Sequence, residues 1–250
     1  RADEFIPSSD KRYSVGGRKT EGDLNLSDAF IQLLVATQAD GYLAKDCSSI
    51  TYSFVKERKI DRMERILDSL SANYTKKEFT RKGRTEVVFR LKASDLSVSV
   101  RGYLDHNKSF INKLLDLNFR GLKTLLNEVK FWDGTAKDNG DLVLDTTDKI
   151  SCEFIQTVAS LIGYKTNFSV YSKTTSYGDV TVYRVYVSTN TLAVKSANKS
   201  LEVSHYKGFI GCVSVPSGLV LVRRKGEIVV SGNTLNAQKL GISRDQAKSI

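Results

Sequence analysis

The sequence predicts an α+β protein built from one unit used twice about a pseudo-twofold axis, followed by a β-rich segment of different texture. Three observations carry this prediction. A helix–strand–helix–strand–strand order runs through residues 24–105 and returns in residues 106–190. An Asp-Gly pair closes the first helical run at Asp40-Gly41 and its counterpart at Asp133-Gly134, 93 residues on, and Phe89-Arg90-Leu91 matches Tyr183-Arg184-Val185 at an offset of 94. From about Ser188 the pattern turns to short apolar runs broken by Pro-Ser-Gly and Lys-Gly turns.

Each element has its own signal. Residues 1–23 are polar and glycine-containing and read as a connector. "LSDAFIQLLVATQADG" opens on a capping Ser27 or Asp28 and reads as a helix ending at Gly41. A strand follows near "SSITYSF". Ile60, Met63, Ile66, Leu67 and Leu70 then recur at helical spacing. "YTKKEFT" and "RTEVVFRLK" are strands joined at Lys82-Gly83. In the second unit, "FRGLKTLLNEVKFWDG" is read as a helix reaching Asp133, and "DLVLDTT" as a strand. Phe154, Val158, Leu161 and Ile162 mark another amphipathic helix, and "TNFSVYSK" and "VTVYRVYVS" are strands. Residues 191–233 are strand-rich, and residues 234–250 turn helical again.

Composition narrows the partners. The 250 residues are 40% hydrophobic, enough for a sizeable core. A net charge of +10, from 38 Lys and Arg against 28 Asp and Glu, points to a polyanion, of which nucleic acid is the commonest. Cys47, Cys152 and Cys212 are far apart and only two histidines are present, which argues against a disulfide framework or a zinc site and fits a reducing cytoplasm. No apolar run approaches the ~18 residues of a membrane span, and no signal peptide is visible. The start at Arg1 and the stop at Ile250 within a helix-like stretch read as cuts through a longer gene product.

Two helices that each end in Asp-Gly can set their carboxylates side by side if the repeats pack about a twofold axis. Paired carboxylates repel, so such a pair shares a proton or binds a cation, and hard oxygen ligands favour magnesium or calcium. In "RTEVVFRLK", alternation puts Val87, Phe89 and Leu91 on one face and Arg90 and Lys92 on the other. In "TNFSVYSK", Asn167, Ser169, Tyr171 and Lys173 oppose Phe168 and Val170. A basic outer face of this kind fits a DNA major groove, although any half-exposed sheet shows the same alternation.

"LLVATQADG" at residues 33–41 resembles the LAGLIDADG motif of homing endonucleases, and "LNEVKFWDG" at 126–134 resembles its second copy, with Asn127, Glu128 and Lys130 where the motif has small or apolar residues. The resemblance covers residues 24–190 and implies cleavage of long sites in double-stranded DNA by a monomer, with Mg2+ held by Asp40 and Asp133. It also implies a basic residue near the metal-bound water on a late strand of each half. Lys92 stands in that place in the first half, and either Lys173 or Arg184 in the second. Arg90, Lys92, Lys173 and Arg184 are the expected DNA contacts. An inactive relative that only binds DNA, or a transcription or splicing cofactor of the same family, remains the alternative.

"YKGFIGCVSVPSGLVLVRRKGEIVVSGN", ending at Asn233 before Thr234, resembles the C-terminal splicing blocks of phage inteins. That resemblance implies Asn233 cyclisation with cleavage before Thr234, whose hydroxyl accepts the acyl group. Cys212 is either an acyl acceptor or an inert buried thiol, and Gly232 stands where the family has histidine, so another group must assist cyclisation; His205 is either that group or a surface histidine. The N-terminal splicing half would act in cis or in trans. "TLNAQKLGISRDQAKSI" resembles a family-A phage DNA polymerase, so the expected setting is a phage-encoded protein in the host cytoplasm.

Overall fold

The structure is a computed structural model that describes residues 12–15, 22–46, 48–81, 83–92, 95–176, 178–195, 207, 219–224 and 226–232. The chain divides into two compact units, one of residues 17–190 and one of residues 1–16 with 191–250.

The larger unit holds the repeat. Helix α1 (Asp28–Asp40) starts because the Ser27 hydroxyl accepts the Phe30 amide at 3.3 Å. Residues Leu33 to Thr37 are buried consecutively, so α1 is covered on nearly every side. Around it stand β2 (Tyr42–Leu43), β3 (Ser49–Phe54), α2 (Glu57–Ser69), β4 (Tyr74–Arg81) and β5 (Arg84–Lys92). A short helix, α3 (Asp95–Arg101), and a 3-10 turn (Asn112–Asp116) bridge to the second half. There follow α4 (Phe119–Val129), β6 (Gly134–Ala136), β7 (Leu142–Thr146), α5 (Lys149–Leu161), β8 (Tyr164–Thr175) and β9 (Gly178–Lys195). Asn118 and Asp148 cap α4 and α5 through their side-chain oxygens.

The two antiparallel sheets share one strand order, β2-β3-β5-β4 in the first half and β6-β7-β9-β8 in the second. Their registers agree as well. Ile50, Thr51 and Tyr52 face Leu91, Arg90 and Phe89, while Leu144, Asp145 and Thr146 face Val185, Arg184 and Tyr183. Every member of the second set lies 94 positions after its equivalent. The duplication read from the sequence is therefore a duplication of pairing geometry.

The pseudo-twofold axis runs between α1 and α4. Leu24 is bridged in parallel to Leu117, and Asn118 donates from Nδ2 to Asn25 Oδ1 at 3.3 Å, a pair 93 residues apart. A Cβ added at Gly121 would stand 3.3 Å from Ile31 Cδ1, so glycine permits the close helix approach. Across the same seam Thr124 Oγ1 donates to Asp28 Oδ1 at 3.0 Å. Phe54 of the first half meets Trp132 of the second, ring centroids 5.6 Å apart, in one continuous core.

Four short elements escape the sequence pattern. β2 and β6 are two and three residues long, and α3 and the 3-10 turn lie in the inter-repeat stretch. The expected helix through Asp133 is corrected: α4 ends at Val129. The expected connector is corrected in part, because β1 (Arg12–Val15) pairs antiparallel with Leu192–Lys195 of β9. In the smaller unit β10 (Leu219–Arg224) and β11 (Glu227–Gly232) form the expected hairpin, with Gly226 at φ 83° in the Lys-Gly turn. Among the described residues, no helix is long and apolar enough to cross a membrane.

Candidate active site at the repeat interface

Asp40 is the last residue of α1. Gly41 follows because the chain folds tightly against the helix: its amide donates to the Thr37 carbonyl at 3.1 Å, and an added Cβ would lie 2.7 Å from Thr37 Cα. Asp133 arrives differently. After Val129 the chain tightens into a turn in which Phe131 and Trp132 donate to the carbonyls three residues back, at 3.0 and 3.2 Å. Gly134 then passes close to the helix end, where a Cβ would stand 2.9 Å from the Val129 carbonyl oxygen.

The two carboxylates act on one another. Asp133 is open to water on one side and crowded by protein on the other, and this partial desolvation, reinforced by the negative charge of Asp40, raises its pKa above the ordinary aspartate value. Lys59 and Lys108 oppose the shift. Lys59, from the first turn of α2, donates its Nζ to Asp40 Oδ2, and their side chains are 12% and 27% exposed. Lys108 donates its Nζ to the Gly41 carbonyl at 2.6 Å. It sits at φ 66° in a turn held by Asp105, whose Oδ1 accepts the amides of Asn107 and Ser109 at 2.8 Å each. Burial lowers the Lys108 pKa, while Asp133 and Asp40 pull it back up.

So the structure brings Asp40 and Asp133 together, with two lysines that the sequence reading did not single out. Lys59 left a signal: it lies four residues before Met63 on the apolar stripe of α2, an unusual place for a charge. Lys108 left none, because a polar turn carries no periodicity. Lys92, exposed at the end of β5, faces Ser49, and exposed Arg90 faces Thr51. Arg184 on β9 is committed to Asp145, with Nε–Oδ1 and NH2–Oδ2 both at 2.6 Å, and reaches the Tyr171 hydroxyl at 3.3 Å. Hydrogen bonding to Arg184 holds the Asp145 carboxyl below the usual range, helped by the charge of Lys173 on β8. Cys212, Asn233 and Thr234, like His205, lie outside the described residues. Among the described residues, no group of three or more His, Cys, Asp or Glu could hold a metal.

No family model matches this chain. A curated relative, the ribonucleoside-diphosphate reductase subunit beta of Aquifex aeolicus (strain VF5), is 26% identical over 215 residues, which cover 81% of this chain and 30% of the relative. The chain thus spans under a third of that protein's length. Among solved structures, full-length DUF199/WhiA from Thermatoga maritima is similar with a TM-score of 0.43 and 10% identity, over 66% of this chain and 53% of that one. I-DmoI in complex with DNA and Mn is similar with a TM-score of 0.45 and 15% identity, over 66% of this chain and 91% of that one. I-DmoI with DNA and Ca gives 0.44 and 16%, over 66% and 85%.

Chemically, the site sets two carboxylates within reach of one another's charge, with the ammonium groups of Lys59 and Lys108 beside them. Such a site can bind a hard cation through oxygen, or a phosphate through nitrogen.

Proposed function

We propose that the chain is a metal-dependent, site-specific double-strand DNA endonuclease of the LAGLIDADG homing type, carried in an intein whose C-terminal segment completes protein splicing at Asn233. The observation that carries the reading is the meeting of Asp40 and Asp133, equivalent residues of a duplicated unit, flanked by Lys59 and Lys108. The proposed cofactor is Mg2+. The donor set fits it: the ion takes hard oxygen ligands and keeps several waters, and the dyad offers two carboxylates with Asp133 open to solvent. Asp40 and Asp133 would hold it, and when bound it supplies charge stabilisation to a phosphodiester undergoing hydrolysis. Lys59 and Lys108 present ammonium donors to the phosphate oxygens on which charge grows.

We assign the DNA contacts to Arg90, Lys92, Lys173 and Arg184 on the outer faces of the two sheets. Because the pseudo-twofold pair of repeats is complete in one chain, we infer a monomer. The Asn233 side-chain nitrogen attacks its own main-chain carbonyl carbon, a succinimide closes, the bond to Thr234 breaks, and Thr234 leaves as an amine. The Thr234 hydroxyl takes the acyl group beforehand, and Cys212 is the candidate first acceptor. An N-terminal splicing half acts in cis or in trans. A phage DNA polymerase host and the host-cell cytoplasm belong to this reading. A 215-residue likeness inside a reductase subunit supports a segment that sits in unrelated hosts.

The test uses the purified chain, Mg2+ and a plasmid bearing the uninterrupted polymerase insertion site. A linear product is expected, falling about a thousandfold in rate in Asp40→Asn and in Asp133→Asn. One observation favours a second reading, a DNA binder without cleavage: Lys59 already neutralises Asp40. Tight binding with no cutting in Mg2+ or Mn2+ would establish that reading instead. For splicing, the N-terminal half supplied in trans should release the tail, and Asn233→Ala should block its release by mass.

A further inference from the structure

Helix α1 delivers Asp40 from its own last turn, whereas α4 stops four residues short of Asp133. Something other than helical hydrogen bonds must fix the second carboxylate. The candidate is Glu128, which is 2% exposed in the last turn of α4, where a charge is costly unless fully paired. Its Oε1 accepts Arg62 Nε at 2.7 Å and Trp132 Nε1 at 2.8 Å, and its Oε2 accepts Arg62 NH2. The Arg62 guanidinium lies 3.5 Å over the centre of the Phe131 ring, and Arg58 NH1 donates to the Phe131 carbonyl at 2.6 Å. Trp132, 4% exposed, packs on Phe54, and Lys59 Nζ sits 5.7 Å from its ring centre. Both residues immediately before Asp133 are therefore gripped by side chains of α2, a helix of the first repeat.

We propose that Glu128, locked by Arg62 and in turn locking Trp132, is the positioning residue for Asp133, so that the first repeat sets where the second repeat's carboxylate stands. This rests on the reading of the dyad as a metal site. A network with every member satisfied has one arrangement rather than several, which is what a ligand outside a helix needs.

Trp132 is the single tryptophan of the chain, so its emission reports on this place directly. The full chain is titrated with Mn2+ and with Ca2+, without DNA. The wild-type emission should change saturably, and Asp133→Asn should remove the change. Glu128→Gln should move the midpoint to about tenfold higher metal or more. Arg62→Lys, which keeps the charge but loses the fork, should move it less. If Glu128→Gln does not unfold cooperatively, the double variant Arg62→Met/Glu128→Leu exchanges the ion pair for apolar residues, a change buried pairs tolerate, and the same shift is expected. A folded variant that titrates at the wild-type midpoint ends the positioning role and leaves the metal site standing. A wild-type chain that responds to neither ion removes the metal site, and the positioning role with it.

Discussion

Asp133 keeps its proton to a higher pH than an ordinary aspartate, through partial desolvation and the nearby charge of Asp40. Between the ordinary value of about 3.9 and that raised value, the folded chain holds more protons than the unfolded one. Stability therefore falls as pH rises through the window, and the loss persists above it. Without metal, Asp133→Asn should melt at a higher temperature than wild type at neutral pH, with the difference closing as pH drops below the window. A melting series in a chelator checks this, and an equal gap at all pH values would contradict it. Asp145 has the opposite sign: Arg184 lowers its pKa, so its contribution is present above the ordinary carboxylate range and fades in acid.

At the level of elements, α1 is held by more than apolar contact. Thr37 Oγ1 meets the hydroxyl of fully buried Tyr52 at 2.6 Å and also donates to the Leu33 carbonyl at 2.7 Å. Thr37→Val strands the Tyr52 hydroxyl and should cost about 1–3 kcal/mol in urea unfolding. Adding Tyr52→Phe removes the stranded group, and the double variant should recover most of that loss. The helices α1, α2 and α5 and the long strands were legible because each buries one periodic face or alternates across a sheet. The end of α4 was not, since "KFWDG" continues the apolar spacing while Glu128 is satisfied by Arg62, 66 residues away in sequence. The dyad was legible because duplication repeats Asp-Gly at a fixed interval. Lys108 was not, because its place depends on how the inter-repeat turn folds back on Gly41.

Across the whole molecule, on the proposed reading the +10 charge would make association with DNA a matter of displaced counterions as well as contacts. Binding of the cognate site should weaken steeply with salt, and Lys92→Ala should reduce the slope of log K against log salt by about one. An unchanged slope would remove Lys92 from the phosphate contacts. Arg184→Ala should act on base preference, costing about 1–3 kcal/mol at one position. The shared register of the two sheets carries a last consequence. One register position holds Thr51 beside Arg90 in the first sheet and Asp145 clamped to Arg184 in the second. Sheets that share strand order and register but differ in such pairs would not ask the same bases of a duplex. A target made into a perfect inverted repeat of either arm should therefore be bound more weakly than the natural one, because only one arm would meet the sheet that suits it.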